Sequence, residues 1–144
     1  MLPYQKTILT PHRGEFYKIF KEKLPEDVDK AKEIVTRIAR GYHTTLLVKG
    51  RVDIISNGVS TKTNITGHPG MTVGGTGDVL SGITAELYSI IKDSFIAASL
   101  AAYLSGKAGE KAAEKFGDGL MASDVPEHIY EVIKEAKNFQ PKEF

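Results

Sequence analysis

One stretch limits what this chain can fold into: Gly67-His68-Pro69-Gly70-Met71-Thr72-Val73-Gly74-Gly75-Thr76-Gly77-Asp78, followed at once by Val79-Leu80-Ser81-Gly82-Ile83. Glycine is dense up to Asp78, and then a helical pattern begins. Glycine reaches backbone angles closed to other residues and leaves its N–H group uncovered. The helix that follows carries unpaired N–H groups and a partial positive charge at its start. Loop and helix start together form an anion site, for which phosphate is the usual biological ligand. Asp78 is the odd member. A carboxylate in a first helical turn suits the dipole yet repels a phosphate. It makes chemical sense there if it takes a proton from a hydroxyl that attacks phosphorus. Ordinary capping accounts for the same Asp on spacing alone. The stretch is not a Walker loop, because no Gly-Lys-Ser/Thr follows, nor a dinucleotide fingerprint, because Leu80 stands at the third glycine position.

The remaining pattern alternates strands and helices. Lys6 to Thr10 reads as a short strand whose pairing Pro11 ends. His12, Arg13, Gly14 and Glu15 form a loop at its carboxyl end, the edge where open α/β sheets bind ligands. The same four residues also read as a polar turn with a surface histidine, with Glu15 opening a helix over Phe16 to Phe20. Pro25-Glu26-Asp27 opens a helix in which Val28, Ala31, Ile34, Val35, Ile38, Ala39 and Tyr42 recur at helical spacing, with Gly41 at its C-cap. Thr44 to Val48 is a β-rich apolar run suited to a buried parallel strand, completing a right-handed βαβ unit. Lys49-Gly50 ends that strand, and a lone lysine there is ordinarily just solvated. Val52 to Ser56, a hairpin at Asn57-Gly58 and a strand around Val59 to Thr63 follow. The helix from about Asp78 to Ile91 is expected to bury Val79, Leu80, Ile83, Leu87 and Ile90, while Ser81, Gly82 and Ala85 allow close approach. Asp93-Ser94 caps a helix expected to be buried nearly all round from Phe95 to Leu104, which Gly106 and Gly109 weaken. Gly117-Asp118-Gly119 breaks the chain. Ser123 caps a last helix spaced on Val125, Ile129, Val132, Ile133 and Ala136, and Asn138 to Phe144 is expected to be a loose tail.

Composition excludes several classes. With 19 basic and 18 acidic residues the net charge is +1, which offers no basic stripe for nucleic acid. The absence of cysteine rules out disulfides and thiolate metal sites. No segment approaches the roughly 20 apolar residues that cross a bilayer, and no signal peptide stands out. The expectation is a single-domain cytoplasmic protein with neither nucleic acid nor membrane as partner; 144 residues can bury a sizeable core.

Asn64 to Gly82, with its Gly-Gly-Thr-Gly-Asp core, resembles the anion-hole motif of the ribokinase-like superfamily. Within it the chain is most similar to the NAD(P)H-hydrate dehydratases, which dehydrate damaged nicotinamide cofactors at the expense of ADP or ATP. Leu9-Thr10-Pro11-His12-Arg13-Gly14-Glu15, Leu47-Val48-Lys49-Gly50 and Gly119-Leu120-Met121-Ala122-Ser123-Asp124 resemble that family in the same order. Arg13 departs from the family's proline. The family's domain is also roughly double this length, so the chain, residues 1–144, corresponds to its carboxyl-terminal half.

The resemblance implies an α/β, three-layer ribokinase-like fold, here as a partial, mainly parallel sheet flanked by helices. It implies Asp78 as catalytic base and substrate contact, Gly74, Gly75, Thr76 and Gly77 as the anion hole, Lys49 and Gly50 along the nucleotide, and His12 at the hydrated nicotinamide. Met121 to Asp124 takes a structural or adenine-side role. The implied ligands are NAD(P)H hydrate and an adenine nucleotide, ADP or ATP, with Mg²⁺, although no carboxylate cluster supplies ligands for the metal. Two other readings stand beside this one. The motif also serves kinases of hydroxymethyl-pyrimidine or thiazole alcohols, and so short a chain could be a non-catalytic nucleotide-binding or assembly module. Without the first half, Leu47 and Val48 would sit on a sheet with an open edge, so a homo-oligomer or association with the missing amino-terminal half is expected.

Overall fold

In the computed structural model, which describes residues 7–138, the strand β2 (Thr45–Val48) runs through the centre of the core. All four of its residues are buried. Leu46 and Val48 point to one face and Leu47 to the other, which is why its sequence is continuously apolar rather than alternating. Among the described residues the chain runs β1 (Ile8–Leu9), α1 (Arg13–Phe20), α2 (Val28–Gly41), β2, β3 (Asp53–Ser56), β4 (Thr61–Asn64), α3 (Thr76–Ile91), α4 (Ser94–Phe116) and α5 (Asp124–Asn138). Sheet order follows chain order, β1-β2-β3-β4.

On one face α1 and α2 bring Phe16, Phe20, Ala31, Val35, Ile38 and Ala39 against Leu46, Val48 and Ile54. On the other, Leu80 of α3 and Ala98, Ala101 and Ala102 of α4 cover Leu47 and Ile55. Small residues on α4 let that helix lie close to the sheet, and a hydroxyl pair, Thr45 Oγ1 to Ser94 Oγ at 2.6 Å, fixes its start on β2. The helix α5 closes the outer side through Leu104, Ala108, Val125 and Val132. Each fully buried large side chain here, such as Phe16, contributes about 1.5–3 kcal/mol.

The α/β class and the layers of helix on sheet agree with the expectation. The balance of strand directions does not. β1 is parallel to β2, but β2–β3 and β3–β4 are antiparallel, because the short links after Lys49 and Ser56 permit only tight reversals. The sheet is therefore mixed. Its edges are β1 and β4, and Leu47 and Val48 lie inside it. The hairpin loop is four residues, since Ser56 pairs with Thr61. Asn57 Oδ1 accepts from the amides of Val59 and Ser60, and Gly58 (φ +84) presses on α2, where a Cβ would stand 2.6 Å from Arg40 Cα.

Other boundaries and exposures also differ. α1 starts at Arg13 and α3 at Thr76, so part of each expected loop is helix. α2 runs through Gly41 to a C-cap at Tyr42. On α3, Ile90 is 68% exposed rather than buried, and Gly82 has open space where a Cβ would be. α4 continues for 23 residues through both glycines, and Ile96, Leu100 and Tyr103 leave an exposed stripe on a helix expected to be covered all round. Gly106 and Gly109 are seats for the chain that leads into the glycine-rich loop. A Cβ on Gly106 would run into Thr66, and one on Gly109 into the Met71 side chain. Lys6 and the tail after Asn138 lie outside the described residues; Asn138 itself ends α5.

Candidate functional site

The carboxyl ends of β1 and β2 leave the sheet side by side. The Lys49 amide donates to the Pro11 carbonyl at 2.8 Å, and a final parallel bridge pairs His12 with Lys49. Pro11 thus ends only its own donation, while its carbonyl carries the pairing one step further. The start of α3 faces this edge, and the Thr10 and Ser81 hydroxyls meet at 3.1 Å.

Gly75, at φ +96, is the N-cap of α3 and provides no side-chain hydrogen bond. The caps of α2 and α4, Asp27 and Asp93, each accept an amide proton from the first turn. The first turn of α3 therefore has no side-chain cap; the Thr76 amide turns back to the Val73 carbonyl at 3.5 Å, and those of Gly77 and Asp78 are left for another acceptor. Thr76 Oγ1 donates back to the loop, 2.8 Å from the Met71 carbonyl and 3.1 Å from that of Val73. This folds the loop over the helix start and commits the Thr76 hydroxyl to that job. At Gly77 the missing side chain leaves room for Lys49, whose Nζ lies 3.0 Å from where a Cβ would stand. At Gly75 the neighbour is Ala122, with 3.0 Å between a built Cβ and the alanine methyl. The stretches around Lys49, Gly75 and Ala122, distant in sequence, meet at one point.

An open cleft of about 540 Å³ lies between α1 and the start of α3. It is lined by Glu15, Lys18 and Ile19 of α1, by Gly75, Gly77 and Asp78 at the start of α3, and by Lys49 just past β2. Such a size suits a ligand. A second hollow of similar size, along α2 between Asp29 and Arg40, has alternating charges and carries no residue of the motifs above.

Asp78, Lys49, Gly75 and Gly77 are thus brought together, whereas His12, Gly50, Gly74 and Thr76 are not part of the cleft wall. His12 is the N-cap of α1. Its Nδ1 accepts from the amides of Gly14 (3.0 Å) and Glu15 (3.1 Å), and Glu15 Oε2 accepts from the His12 amide at 2.9 Å. This is a capping box with histidine in place of the usual Ser or Thr. Nε2 of the half-exposed ring lies 3.6 Å from Glu15 Oε1. The His12 amide holds the Glu15 carboxyl below its ordinary range, and the charges of Lys49 and Lys18 act the same way. Arg13 ties the start of α1 to the following loop, with Nη1 donating to the carbonyls of Leu24 and Pro25 at 3.0 Å each.

Lys18 and Ile19 are cleft residues that the sequence reading missed. They follow Glu15 by three and four positions, so all three share one helix face, and the signal was the His12-x-x-Glu15 cap that starts the helix early. Among the described residues no group of three or more His, Asp or Glu side chains is arranged to hold a metal, so the residues do not build a metal cage. No described helix is long and apolar enough to cross a membrane.

Residues 2–131 match the NAD(P)H-hydrate dehydratase family. The chain is 43% identical over 127 residues to the ADP-dependent (S)-NAD(P)H-hydrate dehydratase of Cenarchaeum symbiosum, covering 88% of this chain and 44% of that protein. It is 46% identical over 136 residues to the bifunctional NAD(P)H-hydrate repair enzyme Nnr of Methanothermobacter thermautotrophicus, covering 90% of this chain and 25% of the relative. The chain therefore spans less than half the length of these relatives. Among solved structures it superposes on the ADP/ATP-dependent NAD(P)H-hydrate dehydratase of Bacillus subtilis co-crystallized with ATP/Mg²⁺, with a TM-score of 0.80 and 28% identity over 89% of this chain and 47% of that one. It also superposes on the hydroxyethylthiazole kinase of Pyrococcus horikoshii, with a TM-score of 0.71 and 26% identity over 87% of this chain and 49% of that one.

Proposed function

The chain belongs to the NAD(P)H-hydrate dehydratase family, and on that premise we propose that it is the carboxyl-terminal half of such a domain, carrying the base and phosphate end of a nucleotide-dependent dehydration of hydrated NAD(P)H. The observation that carries this reading is the convergence of Asp78, Lys49 and the uncapped start of α3 on one cleft.

The hydrate's ring hydroxyl is a poor leaving group as water and a good one as phosphate. Asp78 takes the hydroxyl proton, and the freed oxygen attacks the terminal phosphorus of ADP or ATP as the bond to the leaving phosphate oxygen breaks. The ring carbon–oxygen bond then breaks, inorganic phosphate departs with that electron pair, and loss of a proton restores the dihydropyridine. The amides of Gly74 to Gly77 stabilise charge on the transferring group, the preorganised electrostatics on which such steps depend. Lys49 balances the charge of the phosphates, and His12 Nε2 meets the carboxamide or hydroxyl of the hydrate. Mg²⁺ would be held by the nucleotide's phosphates and its own waters rather than by a cage of the described residues, and would supply charge neutralisation there.

Asp78→Asn is expected to keep ADP binding while lowering turnover by at least about 100-fold; unchanged turnover in the intact protein would remove Asp78 from the mechanism. One observation favours a second reading, in which the site phosphorylates a small alcohol and stops: the likeness to a thiazole alcohol kinase. A stable phosphorylated product supports that reading, and regenerated NAD(P)H absorbance supports dehydration.

A further inference from the structure

We propose that Asp53 is a positioning residue for the nucleotide, acting through the Lys49–Gly50 turn; this rests on the reading that the cleft takes a nucleotide. Asp53 opens β3 opposite Asn64 at the end of β4. Its two oxygens are both engaged. Oδ1 accepts from the Gly50 amide at 3.1 Å, and Oδ2 accepts from Asn64 Nδ2 at 2.9 Å. Asn64 is 9% exposed and is held in turn. Its Nδ2 also reaches the Ala102 carbonyl at 3.3 Å, and its Oδ1 accepts from Thr66 Oγ1 at 2.9 Å. Thr66 sits in the Gly106 notch of α4. A carboxylate, a carboxamide and a hydroxyl thus connect the turn that carries Lys49 to the first residues of the loop that ends at Gly75.

This linkage differs from ordinary turn filling. Burial pushes the Asp53 carboxyl up, against the pull of Asn64, the Gly50 amide and Lys49. Keeping a mostly enclosed carboxylate costs solvation that a plain turn would not require. What the carboxylate fixes is the backbone at Gly50, and with it the base of the Lys49 side chain. A long flexible lysine reaches a defined point only if its root is held, since each free rotation lost on binding lowers affinity. The Asp53 charge also lies near the Lys49 ammonium without forming a close ion pair with it, leaving the ammonium free to face Gly77.

Asp53→Asn is close to isosteric but cannot satisfy both partners. If its oxygen keeps the Gly50 amide, its NH₂ faces the NH₂ of Asn64, so one of the two bonds must open. In the intact protein, hydrogen exchange at the Gly50 amide is expected to speed up about tenfold or more, with β2 and the body of β3 unchanged. The Kd for ADP, read by titration calorimetry, is expected to rise about tenfold or more. Asp53→Glu, which keeps the charge but displaces it by one methylene, is the second variant should the amide not fold, with the same direction expected. A folded variant with unaltered ADP affinity overturns the proposal alone. So does a weakened affinity accompanied by equal loss of protection throughout β2 and β3, which would make Asp53 a general support of the sheet. ADP failing to bind the unsubstituted protein overturns the nucleotide reading and this proposal with it.

Discussion

Gly77 has no Cβ, and the space one would fill lies 3.0 Å from the Lys49 ammonium. The atom that an alanine would crowd is the free end of a flexible chain, so Gly77→Ala is expected to melt with the unsubstituted protein while binding ADP several-fold more weakly; thermal melts and calorimetry check the two halves. Gly75 differs. At φ +96 a side chain is strained by about 1–3 kcal/mol, and its Cβ would also press on Ala122. Gly75→Ala is therefore expected to lower stability by that amount in chemical denaturation. Both glycines were visible in the sequence as part of a dense run, but their different reasons were not. One concerns a lysine 28 positions away and the other a backbone angle. His12 shows the same limit. Its position at the sheet edge followed from the strand before it, yet the commitment of Nδ1 to two amides depends on a helix start that spacing alone set three residues too late.

Among elements, hydrophobic pattern placed α2, β2, α3, α4 and α5 and the Asn57-Gly58 turn placed β4, while the short 3-10 turns at Pro69–Met71 and Gly117–Gly119 have sequences that read only as loop; the boundaries failed where tertiary contacts decide. α4 runs through Gly106 and Gly109 although each costs about 1 kcal/mol relative to alanine, because Thr66 and Met71 occupy the notches. A Cβ on Gly106 would lie 2.6 Å from the Thr66 carbonyl carbon, a backbone atom that cannot step aside. Gly106→Ala is expected to cost about 1–3 kcal/mol. Gly109→Ala meets only the Met71 side chain, so its smaller loss is expected to be largely recovered with Met71→Ala, which a double-mutant cycle measures. The cap of α1 carries a pH signature. The folded Glu15 carboxyl titrates below its ordinary value of 4.5, so the stability it provides is present above that value and is lost as pH falls through the folded one. Glu15→Gln is expected to remove this part of the acid limb in melts across the carboxylate range, and an unchanged limb would deny the cap that role.

For the whole molecule, the layered α/β order was legible because both faces of β2 are apolar, and the β3–β4 reversal because of Asn57-Gly58, while the β2–β3 reversal was set by the short link after Lys49, which carries no such turn signal. β1 pairs only with β2 among the described residues, so one side of a two-residue strand is left open. Open strand edges seek partners. The chain is expected to self-associate or to require another polypeptide along β1, and a monodisperse monomer in light scattering would contradict this. One parallel rung joins His12 to Lys49 at the carboxyl edge of the sheet. Adjacent strands stand about 4.8 Å apart whatever their side chains. On the proposed reading, the spacing between His12, which would meet the hydrated nicotinamide ring, and Lys49, which would steady the nucleotide phosphates, is therefore gauged by the ladder itself. Loops on either side can lengthen, shorten or change composition and the gap between the two residues stays the same.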